Sequence, residues 1–521
     1  MFEREELLIQ LKNTQTWDAI VIGGGASGLG IALDFTTRGF KTLLLEQEDF
    51  AKGTSSRSTK LVHGGVRYLA QGNIPLVYEA LYERGLLLKN APHLVHKQSL
   101  IVPNYNWFDN FFYTIGLKIY DLLSGRLSFG KSTRINRKET IAILPTLKKD
   151  KLFGGVMYYD GQFDDARLAV NLAQSCVENG ATVLNHFKVT KLVKDNTGSV
   201  SGVVAVDNET KIDYVLNAKV VINATGVFAD DILKMDNPKA EDIIRPSQGI
   251  HLVFENRFLP GNNAIMIPKT DDGRVLFIIP WHEKILVGTT DTMIEKHSLE
   301  PKPLEQEIDF IIQTANNYLT QPVSRKDVLS VFSGLRPLAA PKDNAEKTKE
   351  ISRSHKIIVS TSGLISIIGG KWTTYRKMAE DTVDKAIEVK KLKKIPCVTK
   401  DFLIHGACKI HDNENHLNIY GTDRNNIEQL IQENKELGEI LHKKYSYTRA
   451  EVVFAIRNEM ARTIEDILAR RIRLLFLDAK IAVEIAPVVG EILCNELNKS
   501  EQWKNDQISD FIKIAKQYIL G

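Results

Sequence analysis

The fold turns on VIGGGASGLG, residues 21–30. A short apolar run, Ala19 to Ile22, leads into it and reads as a buried parallel strand. Gly23, Gly25 and Gly28 take the three glycine places of G-x-G-x-x-G. Gly23 permits the tight turn, Gly25 lets the backbone approach a pyrophosphate, and Gly28 lets the next helix pack on the strand. That helix is predicted over residues 26–38, its first amides from Ala26 onward aimed at the phosphates, with Gly39 as its stop. The second strand, KTLLLE, ends at Glu46, 23 positions beyond Gly23, the place of a carboxylate that binds a ribose hydroxyl. Turn, helix and acid agree on a dinucleotide site in an α/β fold. They do not separate NAD from FAD.

The following segment begins to separate them. GTSSRSTKLVHGGVRYL, residues 53–69, places small hydroxyl residues just after the ribose acid. An NAD domain proceeds to its next helix and strand. A flavin needs donors for its pyrophosphate, ribityl chain and ring, and Thr54, Ser55, Ser56 and Ser58 supply them through side chains and amides. The flanking LVHGGVRYL is too apolar and glycine-dense for an ordinary surface loop.

From here the chain resembles the FAD-dependent glycerol-3-phosphate dehydrogenases. IGGGASGLGIALDFTTRG (22–39) is similar to that family's first signature, and TSSRSTKLVHGGVRYL (54–69) to its flavin and substrate segment. DDARL (164–168), NATGVFAD (223–230), IIPW and GTTD (278–281, 288–291), SGLRPL (333–338) and GGKWTTYRKMA (369–379) follow in the family's order. AIRNEMARTIEDILARRIRLLFLDAKIAVEIAP (455–487) resembles its C-terminal helical domain, and the match spans about residues 17 to 490. One departure is Leu29, where the first signature has a small residue; a modest repacking of the helix is expected there.

The resemblance implies oxidation of sn-glycerol 3-phosphate at C2 to dihydroxyacetone phosphate, with hydride transfer to FAD N5. Such a site must hold a phosphate, take a proton from an alcohol and stabilise charge moving onto the flavin. The guanidinium fork suits phosphate oxygens, and Arg67 and Arg336 each sit beside glycine in an apolar segment, HGGVRYL and SGLRPL. Tyr68 adds a hydroxyl donor. By resemblance, Lys371 lies close to flavin and substrate. His251, in SQGIHLVF on a predicted strand, is favoured as base, with Arg336 and Lys371 polarising the C2 oxygen. His63 is the alternative base and a flavin neighbour. VVINATGVFAD, residues 220–230, resembles the flavoprotein motif that closes over the dinucleotide from behind, and Gly226 allows the close approach. Gly369, Gly370 and Thr373 in GGKWTTYR are expected to cover the flavin's pyrimidine side at a helix N-terminus.

At 521 residues the chain holds two or three domains. The expected architecture is α/β, α+β overall: a Rossmann-like FAD domain, an antiparallel-sheet substrate cap and an all-α C-terminal domain. Residues 1–400 form a discontinuous FAD domain (about 17–90, 155–230 and 355–390) with an inserted cap (about 91–154 and 231–354). Residues 401–521 form the helical domain, with a long amphipathic pattern from Arg449 to Leu497. A helix over residues 1–16 is expected to pack outside.

A net charge of +4 is too small to argue for nucleic acid. Cys176, Cys397, Cys408 and Cys494 are far apart and have no metal-ligand spacing, so no metal site is expected and a reducing compartment is. No secretory signal or run of about 18 apolar residues appears, so membrane contact is expected to be peripheral. NYNWFDNFFYTIGLKIYDLLSGRLSFGK, residues 104–131, reads equally as a core helix or as an interfacial segment. The resemblance favours the second: a cytoplasmic enzyme on the inner face of the membrane, delivering electrons to a quinone, with room for a homodimer. Two other functions remain open, an oxidase that makes hydrogen peroxide from oxygen and a non-catalytic FAD-binding protein.

Overall fold

A computed structural model describes residues 4–70, 72–270, 273–339, 355–409 and 415–520. The apolar run before the glycines becomes the strand Thr16–Ile22, at the centre of an eight-stranded sheet. Its neighbours Thr42–Leu45 and Asp213–Asn223 run parallel to it, and Thr182–Leu184 and Ile365–Ile368 extend the parallel set on either side. Parallel strands bury both faces, which is why Ala19, Ile20 and Val21 are fully buried. The predicted helix is Ala26–Thr37, and Gly39 takes the left-handed conformation (φ +83°) just past its end. The helices Asp165–Glu178 and Tyr375–Lys390 pack against it. Leu29 is fully buried in the core of this layer, and its carbonyl accepts from the Cys176 thiol at 3.5 Å.

A second sheet of ten strands carries Ile244–Glu255 and Ser330–Ala339, which pair antiparallel along ten residue pairs. Every joint in it is antiparallel except that of Ala264–Ile267 with Val95–Asn104. Leu61–Val62 and Gly154–Phe163 pair with each other and belong to the second sheet, not to the dinucleotide layer. Their alternation does not reveal which sheet a short strand joins; pairing across a hundred residues decides it.

The C-terminal part is mostly helical, with one small hairpin, Ile440–His442 with Tyr445–Thr448. The long amphipathic pattern is divided: Arg449–Asn458, a π-helical turn Asp466–Arg471, Leu474–Leu477 and Ala479–Glu496. Met460 (φ +54°) and Arg473 (φ +64°) turn the chain at the breaks. These helices share one apolar core with Val253, Trp281, Leu286 and Phe332 of the second sheet. The N-terminal helix Arg4–Asn13 does not lie loosely outside. Leu7 and Leu11 are buried, and Arg4 pairs with Asp207 at 3.2 Å.

Candidate active site

Both sheets line one cleft of about 790 Å3, within the range of cofactor sites. The parallel layer supplies a nucleotide cradle. Gly23 sits at φ +110°, and a Cβ there would stand 2.7 Å from the Ala224 carbonyl oxygen. A Cβ on Gly28 would stand 1.8 Å from the carbonyl oxygen of Gly23, so only glycine lets the helix start this close to the strand. Gly25 is the N-cap, and the Ala26 amide donates to Ser55 Oγ at 2.9 Å. Glu46 accepts from the Gly24 amide at 2.6 Å and from the Glu48 amide at 2.9 Å. Burial pushes its carboxyl up to about 7 in spite of these two donors. Gly226 (φ +61°) and Gly370 (φ +88°) turn the backbone beside the same cleft, and Thr373 lies in the turn that opens the helix Tyr375–Lys390.

The second sheet supplies the chemistry-bearing groups. His251 is buried, its ring stacked on Phe332 at 5.0 Å, and its Nε2 lies 2.9 Å from Thr59 Oγ1. Burial holds its pKa well below the ordinary imidazole value, and the cations of Lys60 and Arg336 push it further the same way. The ring is therefore neutral. A Cβ on Gly288 would stand 2.3 Å from this ring, so the facing strand leaves room for it only as glycine. The Arg336 guanidinium donates to the Gln248 carbonyl (3.3 Å), to Thr289 Oγ1 (3.1 Å) and to the Thr290 carbonyl (3.0 Å). Asp291 lies 3.5 Å away. The ammonium of Lys371 sits 4.0 Å over the ring of Tyr68. His63 lines the cleft beside Thr373, whose hydroxyl accepts from the His63 amide at 3.3 Å.

Not every predicted residue is placed as expected. Ser56 is fully buried behind the cleft, where its carbonyl accepts from Lys60 Nζ at 2.6 Å. Gly28 spaces helix from strand and does not line the cleft. Thr54 donates its hydroxyl to the Leu335 carbonyl (2.6 Å) and Ser58 donates to Asp165 (2.7 Å), so these side chains brace their own loop. Ser55 accepts from Ala26 and keeps its own proton to give. Arg67 falls on the helix Val66–Ala70, and its side chain lies outside the described residues.

Several residues at the site carry no local sequence signal. Thr59 fixes His251; Thr289, Thr290 and Asp291 fix Arg336; and the Trp372 indole donates to the Ser55 carbonyl at 2.7 Å, tying the two turns together. GTTD is legible only as a family motif, and its work, gripping an arginine 45 or more positions away, is visible only in the fold.

The sequence matches the FAD-dependent oxidoreductase family over residues 18–376 and the C-terminal domain of alpha-glycerophosphate oxidase over residues 361–504. It is 41% identical over 536 residues to a probable mitochondrial glycerol-3-phosphate dehydrogenase of Caenorhabditis elegans, covering 97% of this chain and 74% of that protein. It is 39% identical to the mitochondrial glycerol-3-phosphate dehydrogenase of Homo sapiens, with 97% and 74% covered. The X-ray structure of glycerol-3-phosphate dehydrogenase from Bacillus halodurans complexed with FAD superposes with a TM-score of 0.81 at 30% identity, covering 100% of this chain and 99% of that one. The L-alpha-glycerophosphate oxidase of Mycoplasma pneumoniae shares the fold at a TM-score of 0.57 and 18% identity, covering 74% of this chain and 97% of that one. The chain belongs to the FAD-dependent glycerol-3-phosphate dehydrogenases.

Proposed function

We propose that this protein oxidises sn-glycerol 3-phosphate to dihydroxyacetone phosphate and passes the electrons to a membrane quinone. One observation carries the reading: a glycine cradle with a carboxylate, a neutral buried imidazole and two cations all line the same cleft. The donor set fits FAD. Gly23, Gly25 and Ala26 offer a close backbone and helix amides to the pyrophosphate, and Glu46 faces a ribose. Thr54, Ser55, Ser58, His63 and Gly226 frame the remainder, with Gly370 and Thr373 beside a helix N-terminus. FAD supplies the hydride acceptor.

The chain's own residues do the rest. Arg336, held by the Gln248 and Thr290 carbonyls, Thr289 Oγ1 and the Asp291 carboxylate, is a preorganised fork for phosphate or for the C2 oxygen, and needs little reorganisation when charge develops. Lys371 adds a second cation, with Tyr68 beneath it and Arg67 on the same short helix as Tyr68. His251, neutral and oriented by the bond between its Nε2 and Thr59 Oγ1, takes the hydroxyl proton as the C2 hydride leaves.

The choice of acceptor rests on the helix Trp107–Ser124. Its outer face bares Trp107, Phe108, Phe111, Phe112 and Leu122, the last 80% exposed. Its inner face is tied to the cleft: Tyr120 accepts from the Gly64 amide at 2.7 Å, next to His63. A patch of this kind suits an interface with lipid, where quinones dissolve. No helix among the described residues is long and apolar enough to cross a membrane. The reading is a cytoplasmic protein held on the inner face of the membrane, able to assemble as a homodimer.

Steady-state turnover with glycerol 3-phosphate tests the acceptor. Reduction of a soluble quinone analogue should outpace oxygen consumption by about two orders of magnitude or more, about 3 kcal/mol in barrier height. Stoichiometric hydrogen peroxide at a comparable rate would assign an oxidase instead.

A further inference from the structure

Between Glu46 and His63, the loop 49–60 forms only one short 3₁₀ turn, Thr54–Ser56, and bends through left-handed residues at Ala51 (φ +61°) and Lys60 (φ +60°). Bonds inside the loop close its turns: the Lys52, Ser56 and Arg57 amides donate to the carbonyls of Asp49 (3.1 Å), Ala51 (3.2 Å) and Thr54 (3.1 Å), and Lys60 Nζ donates to the Ser56 carbonyl (2.6 Å). Ion pairs from elsewhere anchor the turns in place. Asp49 receives Arg470 at 2.5 Å and Arg471 at 2.8 Å. Lys52 pairs with Glu465 at 2.6 Å. Arg57 pairs with Glu300 at 2.7 Å, and the other oxygen of Glu300 accepts from the Tyr518 hydroxyl at 3.0 Å. Arg473 donates to the Ser56 carbonyl at 3.2 Å and to Asp165 at 2.9 Å, and Asp165 also holds Lys60 at 2.7 Å.

Most of these partners come from the C-terminal unit: Glu465, Arg470, Arg471, Arg473 and Tyr518. The groups are out of water; the side chains of Asp49, Lys60, Asp165, Arg471 and Arg473 are 0% exposed. Leaving one of these buried charges unpaired is costly, so the network penalises other arrangements of the loop. Lys52, Thr54 and Arg57 line the cleft themselves, so the loop's shape is part of the cleft's shape.

We propose that the C-terminal unit is a working part of the flavin site: Glu465, Arg470, Arg473 and Tyr518 are positioning residues that hold the loop 49–60 in its FAD-binding form. The proposal rests on the reading of that loop as the flavin loop. Coupling of this kind is reciprocal, so FAD must also tighten the C-terminal unit onto the loop.

The test strips the protein of FAD and retitrates it, for wild type, Glu465→Gln, Tyr518→Phe and Gly25→Val. Glu465→Gln should weaken FAD about tenfold and Tyr518→Phe a few-fold, within the ordinary span of coupling between sites. Hydrogen exchange gives the converse: adding FAD should slow exchange at residues 465–477 and 516–520, and slow it less in Tyr518→Phe. If Glu465→Gln fails to fold, Tyr518→Phe, which removes one oxygen, decides alone. FAD affinity within twofold of wild type, or exchange at these segments indifferent to FAD, overturns the proposal. Gly25→Val separates the causes. If it destroys binding while the C-terminal variants do not, only the positioning role falls; if it too binds normally, the assignment of the flavin site falls with it.

Discussion

Glu46 shows what a single side chain contributes. Its carboxyl is pushed up to about 7 by burial, so near neutral pH it is only part ionised before FAD arrives. On the proposed reading, ribose hydroxyls donate to the ionised form and lower its pKa on binding. Binding therefore releases a proton, and FAD affinity should rise with pH through about 7 and level off above it, with a slope of at most about tenfold per pH unit below. A retitration between pH 5.5 and 8.5 reads this directly, and Glu46→Gln should be flat. A flat wild-type profile would remove Glu46 from the ribose site. The placement of Glu46 and the glycines was legible because it is local: turn, helix start and strand end lie within one βαβ unit. The Thr59–His251 bond was not, since it spans 192 positions. The hydroxyls of the loop were legible as polar, but not as turned inward; Ser58 is taken by Asp165, a partner 107 positions on.

At the scale of elements, the helix Trp107–Ser124 carries the clearest consequence. From sequence its aromatic residues read equally as core or as interface, because composition does not say which side of a helix meets a neighbour. Packing shows that the aromatic face is not core: Leu117 and Tyr120 are buried, while Trp107, at 66%, and its companions are exposed, and the interface with lipid is the proposed reading of that face. Each large apolar side chain taken out of water contributes about 1.5–3 kcal/mol. Phe111→Asp with Phe112→Asp should thus weaken binding to lipid vesicles by about a hundredfold or more. Cosedimentation with vesicles measures it; turnover with a soluble quinone analogue serves as the control for folding. Unchanged cosedimentation would take the membrane face away from this helix. The C-terminal pattern was legible as helical but not as broken, since the breaks at Met460 and Arg473 are set by long-range packing and ion pairs, not by glycine or proline.

In the whole molecule, two sheets meet over one cleft, and a C-terminal helical unit shares the core of the second sheet. The layer plan was legible from the order of motifs. The sheet that Leu61–Val62 and Gly154–Phe163 join was not, because they declare it only by pairing. On the proposed reading the arrangement matters because the sheets carry different halves of the reaction: the parallel layer holds the cradle and the second sheet holds His251 and Arg336. The central claim is that these halves form one site for hydride removal from glycerol 3-phosphate. The rate of anaerobic flavin reduction on adding glycerol 3-phosphate tests it most directly, in wild type and in His251→Gln with FAD bound to both. The account predicts full bleaching of the wild-type flavin with dihydroxyacetone phosphate formed in equal amount, and reduction slowed by about 10²–10⁴ in His251→Gln. A flavin that stays oxidised, or a variant that reduces at the wild-type rate, would contradict it.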